Sequence, residues 1–576
     1  MHTIRFALLL SLVLGLAACG GGSSGGGSGA PPLPGPVPAP APDPDPDPAP
    51  APTPQLSGIE AAARLASRST FGMNYAGIQE IHERGEAQWL EQQFRLPISR
   101  HDPLVAELMR RQSAGDFVEL EERINQLQVV FRRLAWWQQS ATAPDQLRQR
   151  VAYALSQIFV VSDGLNTLLA QPHALSNYYD TLLKHAFGNY RDLLLAVTLH
   201  PSMGVYLSHL GNALADPEAN RYPDENYARE VMQLFSIGLY ELNLDGTEKR
   251  DDRGRLIPTY DNDDIREFAR VFTGLTFGDS EGPFWRREPN FRVPMEMFEA
   301  FHDRESKRLL RGQVIPAGQA GMQDIEDAVD NLFQHPNVGP FIGRQLIQRL
   351  VTSNPSPAYV QRVAEAFNGL DGGERGDMRA VLRAVLLDPE ATALPEIDGA
   401  AGKLREPVLR LLAAVRQLNV SSPDGFFANA GYALQQRIGQ HPLSAPSVFN
   451  FYLPNHSPLG DIGDAGLVAP EFQITNSTTV IAISNLLDEA VLSDNWNDLP
   501  LPPFQPARAN LDEYLALADD TAALLDRLDL VMAYGTLSPA TRDSIRASID
   551  QIEDLEIRVR AAIYLVLISP DQAVEL

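Results

Sequence analysis

A mainly α-helical globular body is the fold class that this chain of 576 residues predicts. Helix-period apolar patterns recur along most of its length, strand-period alternation is confined to one short stretch, and no fixed repeat of roughly 20 to 50 residues marks a solenoid. The expected architecture is a large multi-helix globular domain with a small inserted β-hairpin.

At the N-terminus, Met1 to Ala18 has one permanently basic residue, Arg5, then the apolar run Phe6 to Leu14 and the small-residue end Gly15-Leu16-Ala17-Ala18. That is the plan of a cleavable signal peptide. The run falls short of the roughly 20 apolar residues a bilayer span needs. Leu16-Ala17-Ala18-Cys19 resembles the bacterial lipobox, in which the thiol is acylated and the chain is cut before it. Cys19 is the one cysteine of the chain and has no internal disulfide partner. Several acyl chains give durable anchoring where one gives only marginal binding. Gly20 stands where inner-membrane retention usually has Asp, so the expected location is the cell envelope, lipid-anchored, at the outer membrane.

Residues 19–55 change composition completely, from a Gly/Ser tract ending at Gly29 to Pro-rich repeats such as Pro42-Asp43-Pro44-Asp45-Pro46-Asp47-Pro48. Neither half carries enough apolar side chains to offset the entropy of ordering. A flexible coil followed by a stiffer polyproline-like spacer makes a tether. The folded body then begins near Leu56. We divide it into a helical domain over residues 56–487 and a C-terminal helical extension, residues 488–576, packed on it.

The formal net charge is −26, and removal of the leader takes away Arg5 and no acid. Such a surface repels nucleic acid and anionic lipid heads, which excludes nucleic acid as a partner.

Helix-period windows fall at Asp116 to Gln139, Asp145 to Val161, Tyr190 to Val197, Asp264 to Phe272, Asp324 to Gln334, Val338 to Val351, Ala358 to Phe367, Met378 to Leu387, Pro407 to Leu418 and Arg542 to Ile568. The hairpin is read from Tyr240 to Leu244, turned at Asp245-Gly246, with a second turn at Arg253-Gly254 and a return through Leu256 to Tyr260. Asn243-Leu244-Asp245-Gly246 looks faintly like a calcium loop, but it lacks the glutamate at the twelfth position, and turn chemistry explains it better.

Two common catalytic signatures are missing from the sequence: there is no His-Glu-x-x-His helix and no phosphate loop around Gly402-Lys403. The densest polar stretch is Tyr222-Pro223-Asp224-Glu225-Asn226-Tyr227-Ala228-Arg229-Glu230. At about 100° per residue, Glu225, Asn226, Arg229 and Glu230 share an arc of roughly 140°, opposite Tyr227, Val231, Leu234 and Phe235. Two carboxylates, an amide and a guanidinium so placed suit a divalent cation, a sugar or an acid/base pair. They equally suit a structural i, i+4 pair of Glu225 with Arg229, with acids complementing a helix N-terminus. A second cluster, His302-Asp303 with Lys307, groups a histidine, a carboxylate and an amine. Its plainer reading is that Asp303 caps a helix containing Lys307. The candidate catalytic residues are therefore Glu225, Glu230 and His302, and the candidate binding residues are Asn226, Arg229, Asp303 and Lys307. Any cofactor stays open, with a divalent cation the candidate.

Taken together, several segments resemble the bacterial domain of unknown function family 1800. They are Ala62 to Leu65 through Thr70-Phe71-Gly72, Leu147 to Val151 through Phe159 to Ser162, Tyr190 to Leu194 through His200 to Met203, Pro223 to Glu230, Tyr260 to Gly274, His302-Asp303 with Lys307, and Pro446 to Tyr452. Asp224 departs from the asparagine often found there, which puts in doubt any need for an amide at that position. Arg64, Arg148 and Arg150 also match, though arginines on amphipathic helices are more often structural. The resemblance implies a mostly helical exported protein, often encoded beside a protein of unknown-function family 1501 that is similar to alkaline phosphatases and sulfatases. It implies no established reaction. Two functions follow as expectations. One is a surface-tethered binding or assembly factor for another exported protein. The alternative is an enzyme that processes an extracellular polymer or glycan with the carboxylate-rich helix face.

Overall fold

Several helices start where the sequence supplies a side-chain acceptor for the free N–H groups of their first turn. In the computed structural model, which describes residues 58–370, 372–393 and 402–576, Asp261 accepts from the backbone of Asp263 and Asp264 and opens Asn262–Val271 with a capping box. Ser356 caps Pro357–Asn368, which ends at Gly369 in the left-handed region (φ 67°) that a side chain would strain. Asn189 and Asp377 cap Tyr190–Thr198 and Met378–Leu386 in the same way. The leader, Cys19 and the tether lie outside the described residues.

Helix accounts for 54% of the structure against three two-stranded sheets, which makes the fold mainly α. Most windows read from periodicity reappear within a few residues, among them Gly321–Phe333, Val338–Leu350 and Pro407–Gln417. Two windows break. The stretch from Asp116 becomes Val118–Arg123, a short 3-10 turn and Phe131–Thr142, because Gln126 adopts a left-handed φ of 57° between them. The last window divides into Pro539–Ile549 and Leu555–Ile568, the second capped by the Asp554 side chain. Apolar periodicity runs on across both interruptions, so a wheel cannot see them.

The inserted hairpin has three antiparallel limbs. Bridges join Tyr240 to Pro258, Leu242 to Glu248 and Arg250 to Leu256, with Gly246 and Gly254 at the two turns. The helix expected around Lys307 is absent. Lys307–Arg308 is a strand paired with Val314–Ile315. Asp303 accepts from the backbone N–H of Glu305 at 2.9 Å and from Arg270, so it turns the chain and opens no helix.

The described residues form one compact unit. Helix Ser477–Val491 runs across position 488 and packs against Leu555–Ile568. Strand Val574–Glu575 pairs with Lys403–Leu404. The core is aromatic around Phe131–Thr142, Gln146–Ser156 and Pro172–His185, where Trp136, Trp137, Tyr153, Tyr178 and Tyr179 are almost wholly enclosed. Each such side chain contributes about 1.5–3 kcal/mol on burial. No described helix is long and apolar enough to cross a membrane.

Candidate functional site

The polar stretch forms helix Asn226–Gln233, with Glu225 just before it. Asp224 accepts from the N–H of Asn226 at 2.8 Å, while its own N–H donates to the Asn212 side chain at 2.9 Å. A carboxylate oxygen serves that acceptor role as well as an amide oxygen, which accounts for Asp at this position. Arg229 pairs with Glu225 at 3.4 Å, both side chains about two-fifths exposed. At such exposure the pair is worth only a few tenths of a kcal/mol. Asn226 is exposed.

Glu230 stands at the edge of the arc and is covered. It is 7% exposed, its Oε2 has no hydrogen-bond partner, and burial holds its carboxyl above the usual range against the pull of Arg229. The helix therefore presents Glu225, Asn226 and Arg229 outward and turns Glu230 in. Beside it, Tyr227 stacks on His209 with ring centroids 3.9 Å apart and shares a hydrogen bond with the Thr198 hydroxyl at 2.7 Å.

The second cluster is enclosed. His302 Nδ1 donates to the Thr273 carbonyl at 2.9 Å and Nε2 meets Asp324 Oδ2 at 3.0 Å. Lys307 Nζ donates to the same Asp324 oxygen at 2.7 Å, and also to the carbonyls of Asp303 and Glu305. Burial works to raise the Asp324 carboxyl, but the bonds from His302 and Lys307 outweigh it and hold it below its ordinary value. Asp303 faces the other way and takes a two-pronged contact from Arg270 at 2.8 and 3.1 Å. Asp324, the hub, is a residue that sequence reasoning missed. It stands at the start of a correctly read helix, where an acid needs no further explanation. No hydrogen bond or ion pair among the described residues joins this cluster to Glu225, Asn226, Arg229 or Glu230.

A cleft of about 440 Å³ opens beyond the end of the polar helix. Gln233 and Leu234 form part of its wall, together with Gln157, Gln345, Gln348 and Arg349. Its apolar side chains include Leu239 (48% exposed), Tyr240 (39%), Phe449 (44%) and Leu453 (37%). Beneath it, Gln157 Nε2 donates to Glu406 Oε2 at 2.8 Å, and that oxygen also accepts from Tyr153 at 2.7 Å and Gln440 at 2.6 Å. Arg349 donates to the Gln157 carbonyl at 2.9 Å. The cleft floor is thus held by a buried polar layer whose members come from four separate segments. Three stretches that carry the family resemblance supply or adjoin this wall: Leu147 to Ser162, Pro223 to Glu230 and Pro446 to Tyr452. Among the described residues no three His, Cys, Asp or Glu side chains are grouped as a metal site requires.

Residues 64–574 match the model of a family described as Protein of unknown function (DUF1800). No curated protein and no solved structure matches the chain.

Proposed function

The chain belongs to the DUF1800 family of proteins of unknown function, and we propose that it is a lipid-anchored envelope protein whose helical body binds an extended segment of another exported polypeptide in the cleft beside Gln233. The observation that carries this reading is the lining of that cleft. Exposed Leu239, Tyr240, Phe449 and Leu453 concentrate apolar area in one concave place, which marks a contact surface. Gln233 sets an amide among them, and behind it Gln157 Oε1 and Gln345 Nε2 have no partner within the fold, whereas the Nε2 groups of Gln157 and Gln348 are already engaged. Side-chain amides match the N–H and C=O groups of a peptide backbone one for one. The first candidate partner is the family-1501-like exported protein that the resemblance implies.

A photo-crosslinker at Tyr240 in the full chain, expressed in its own envelope, is expected to capture one exported protein, and Phe449→Asp is expected to weaken binding at least ~10-fold. Capture of nothing, or capture indifferent to Phe449→Asp, would overturn the proposal. The anchor rests on Leu16-Ala17-Ala18-Cys19. Cys19→Ser should move the chain from the membrane fraction to the soluble one, with loss of the acyl mass. An unchanged mass and unchanged fractionation would count against lipidation.

The alternative, an enzyme acting on an extracellular polymer or glycan, draws support from Glu230, a buried carboxyl held above its usual range as a general acid requires. The binding reading is better supported, because Glu225 points outward, Glu230 inward, and His302 is only 2% exposed. A divalent cation on Glu225 and Asn226 stays part of this second reading.

A further inference from the structure

Between helix Ile59–Ser69, helix Gln146–Ser156 and the strand that begins at Lys403, the chain forms a small, partly open cavity of about 20 Å³. One water-sized occupant needs roughly 10–15 Å³ on the same measure, so a single small species fits and a polyatomic oxyanion does not. Arg150, Arg405, Tyr534, Ser67 and Glu575 contribute to its wall.

The polar groups here do not satisfy one another. Arg150 is 1% exposed. Its Nη2 donates to the Arg349 carbonyl at 2.8 Å, and its Nε and Nη1 have no partner. Arg405 is 8% exposed, lies 4.3 Å over the Tyr534 ring, and has Nε without a hydrogen bond. Arg68, 3% exposed and behind the wall rather than part of it, donates from Nη2 to a main-chain oxygen of Leu576 at 3.0 Å. Against the two guanidiniums of the wall, Arg150 and Arg405, stands the single carboxylate of Glu575, already engaged by the Ser67 hydroxyl and 3.9 Å from Arg405 Nε. Burial works to raise Glu575, but Arg405 and Arg68 outweigh it and keep it ionised.

A buried guanidinium with unmet N–H groups carries a desolvation cost that a bound acceptor removes, and excess positive charge favours an acceptor that is itself negative. We infer that this cavity is a halide site, holding one chloride between Arg150 and Arg405 as an integral counter-ion of the fold. The site is separate from the cleft and does not depend on the peptide-binding reading.

The test compares thermal unfolding of the full chain, purified in detergent, in chloride, bromide and gluconate at equal ionic strength. Chloride and bromide are expected to raise Tm saturably by about 2–4 °C over gluconate. Arg405→Gln is expected to need at least ~10-fold more halide for the same rise. If that variant does not fold, crystals of the unaltered chain soaked in bromide decide, with an anomalous peak expected between Arg150 and Arg405. Superimposable curves in halide and gluconate, or no anomalous peak in the cavity, would show that it holds water and overturn the inference.

Discussion

Asp324→Ala is expected to cost about 3–5 kcal/mol of stability, because it strips the shared partner from two enclosed groups at once. Lys307 and Asp324 are each 1% exposed in their side chains, and His302 is wholly covered. Without the carboxylate, Lys307 keeps only the carbonyls of Asp303 and Glu305, which cannot neutralise it. His302 Nε2 then faces nothing. Removing the charge together with its partner should recover much of the loss, so Asp324→Ala/Lys307→Met is expected to be more stable than Asp324→Ala alone. Denaturant unfolding of the full chain measures both. A cost under about 1 kcal/mol for Asp324→Ala would mean that this cluster is not a structural ion pair, and would return His302 to the list of groups poised for chemistry.

The second large effect is acid lability centred on buried histidines. Burial depresses His209 to about 4, with only a partial offset from its bond to the Thr198 carbonyl at 2.9 Å. His101 is likewise pushed to about 4 and His200 to about 3. A base whose folded pKa is depressed stays neutral in the native state, so above pH 6.5 neither state holds the proton and nothing is lost. Between pH 6.5 and 4 the unfolded chain takes the proton and the folded chain refuses it, and stability falls by about 1.4 kcal/mol per pH unit for each such group. Buried acids act with opposite sign. Asp180, raised by burial to about 7, gains relative stability as pH falls through the same window. A difference measurement separates the two. His209→Gln keeps a donor for Thr198 and cannot titrate. It is therefore expected to spare about 3 kcal/mol of the loss between pH 6.5 and 4, relative to the unaltered chain. Parallel pH profiles for the two proteins, or a His209 ring that titrates near 6.5, would refute the assignment.

Much of the fold was legible because helices are local. The windows at Val338, Ala358, Met378 and Pro407 follow from apolar spacing, and Ser356 and Asp377 cap the second and third from just ahead of their first turns. The wheel also placed Tyr227 and Val231 on the buried side of the polar helix, where they lie. It could not show that Glu230, at the edge of the polar arc, is buried, because an arc drawn on an isolated helix ignores what packs against its edge. It read Lys307 into a helix, because its pull toward Asp324 crosses 17 residues and leaves no periodic trace.

What the amino-acid sequence determined by itself was therefore the short-range part: a mainly helical class, a turn region marked by Gly246 and Gly254, and a strongly acidic balance of −26. Tertiary structure alone decided which polar groups are spent on holding the chain together and which are left to meet a partner. Glu406 meets Tyr153 across 253 residues and Gln157 across 249, and the cleft above them draws its wall from segments between Gln157 and Asn455. The reason is physical. Periodicity and capping act over one or two turns of backbone, whereas desolvation, which makes Asp324 a hub and encloses Arg150, depends on everything that surrounds a group.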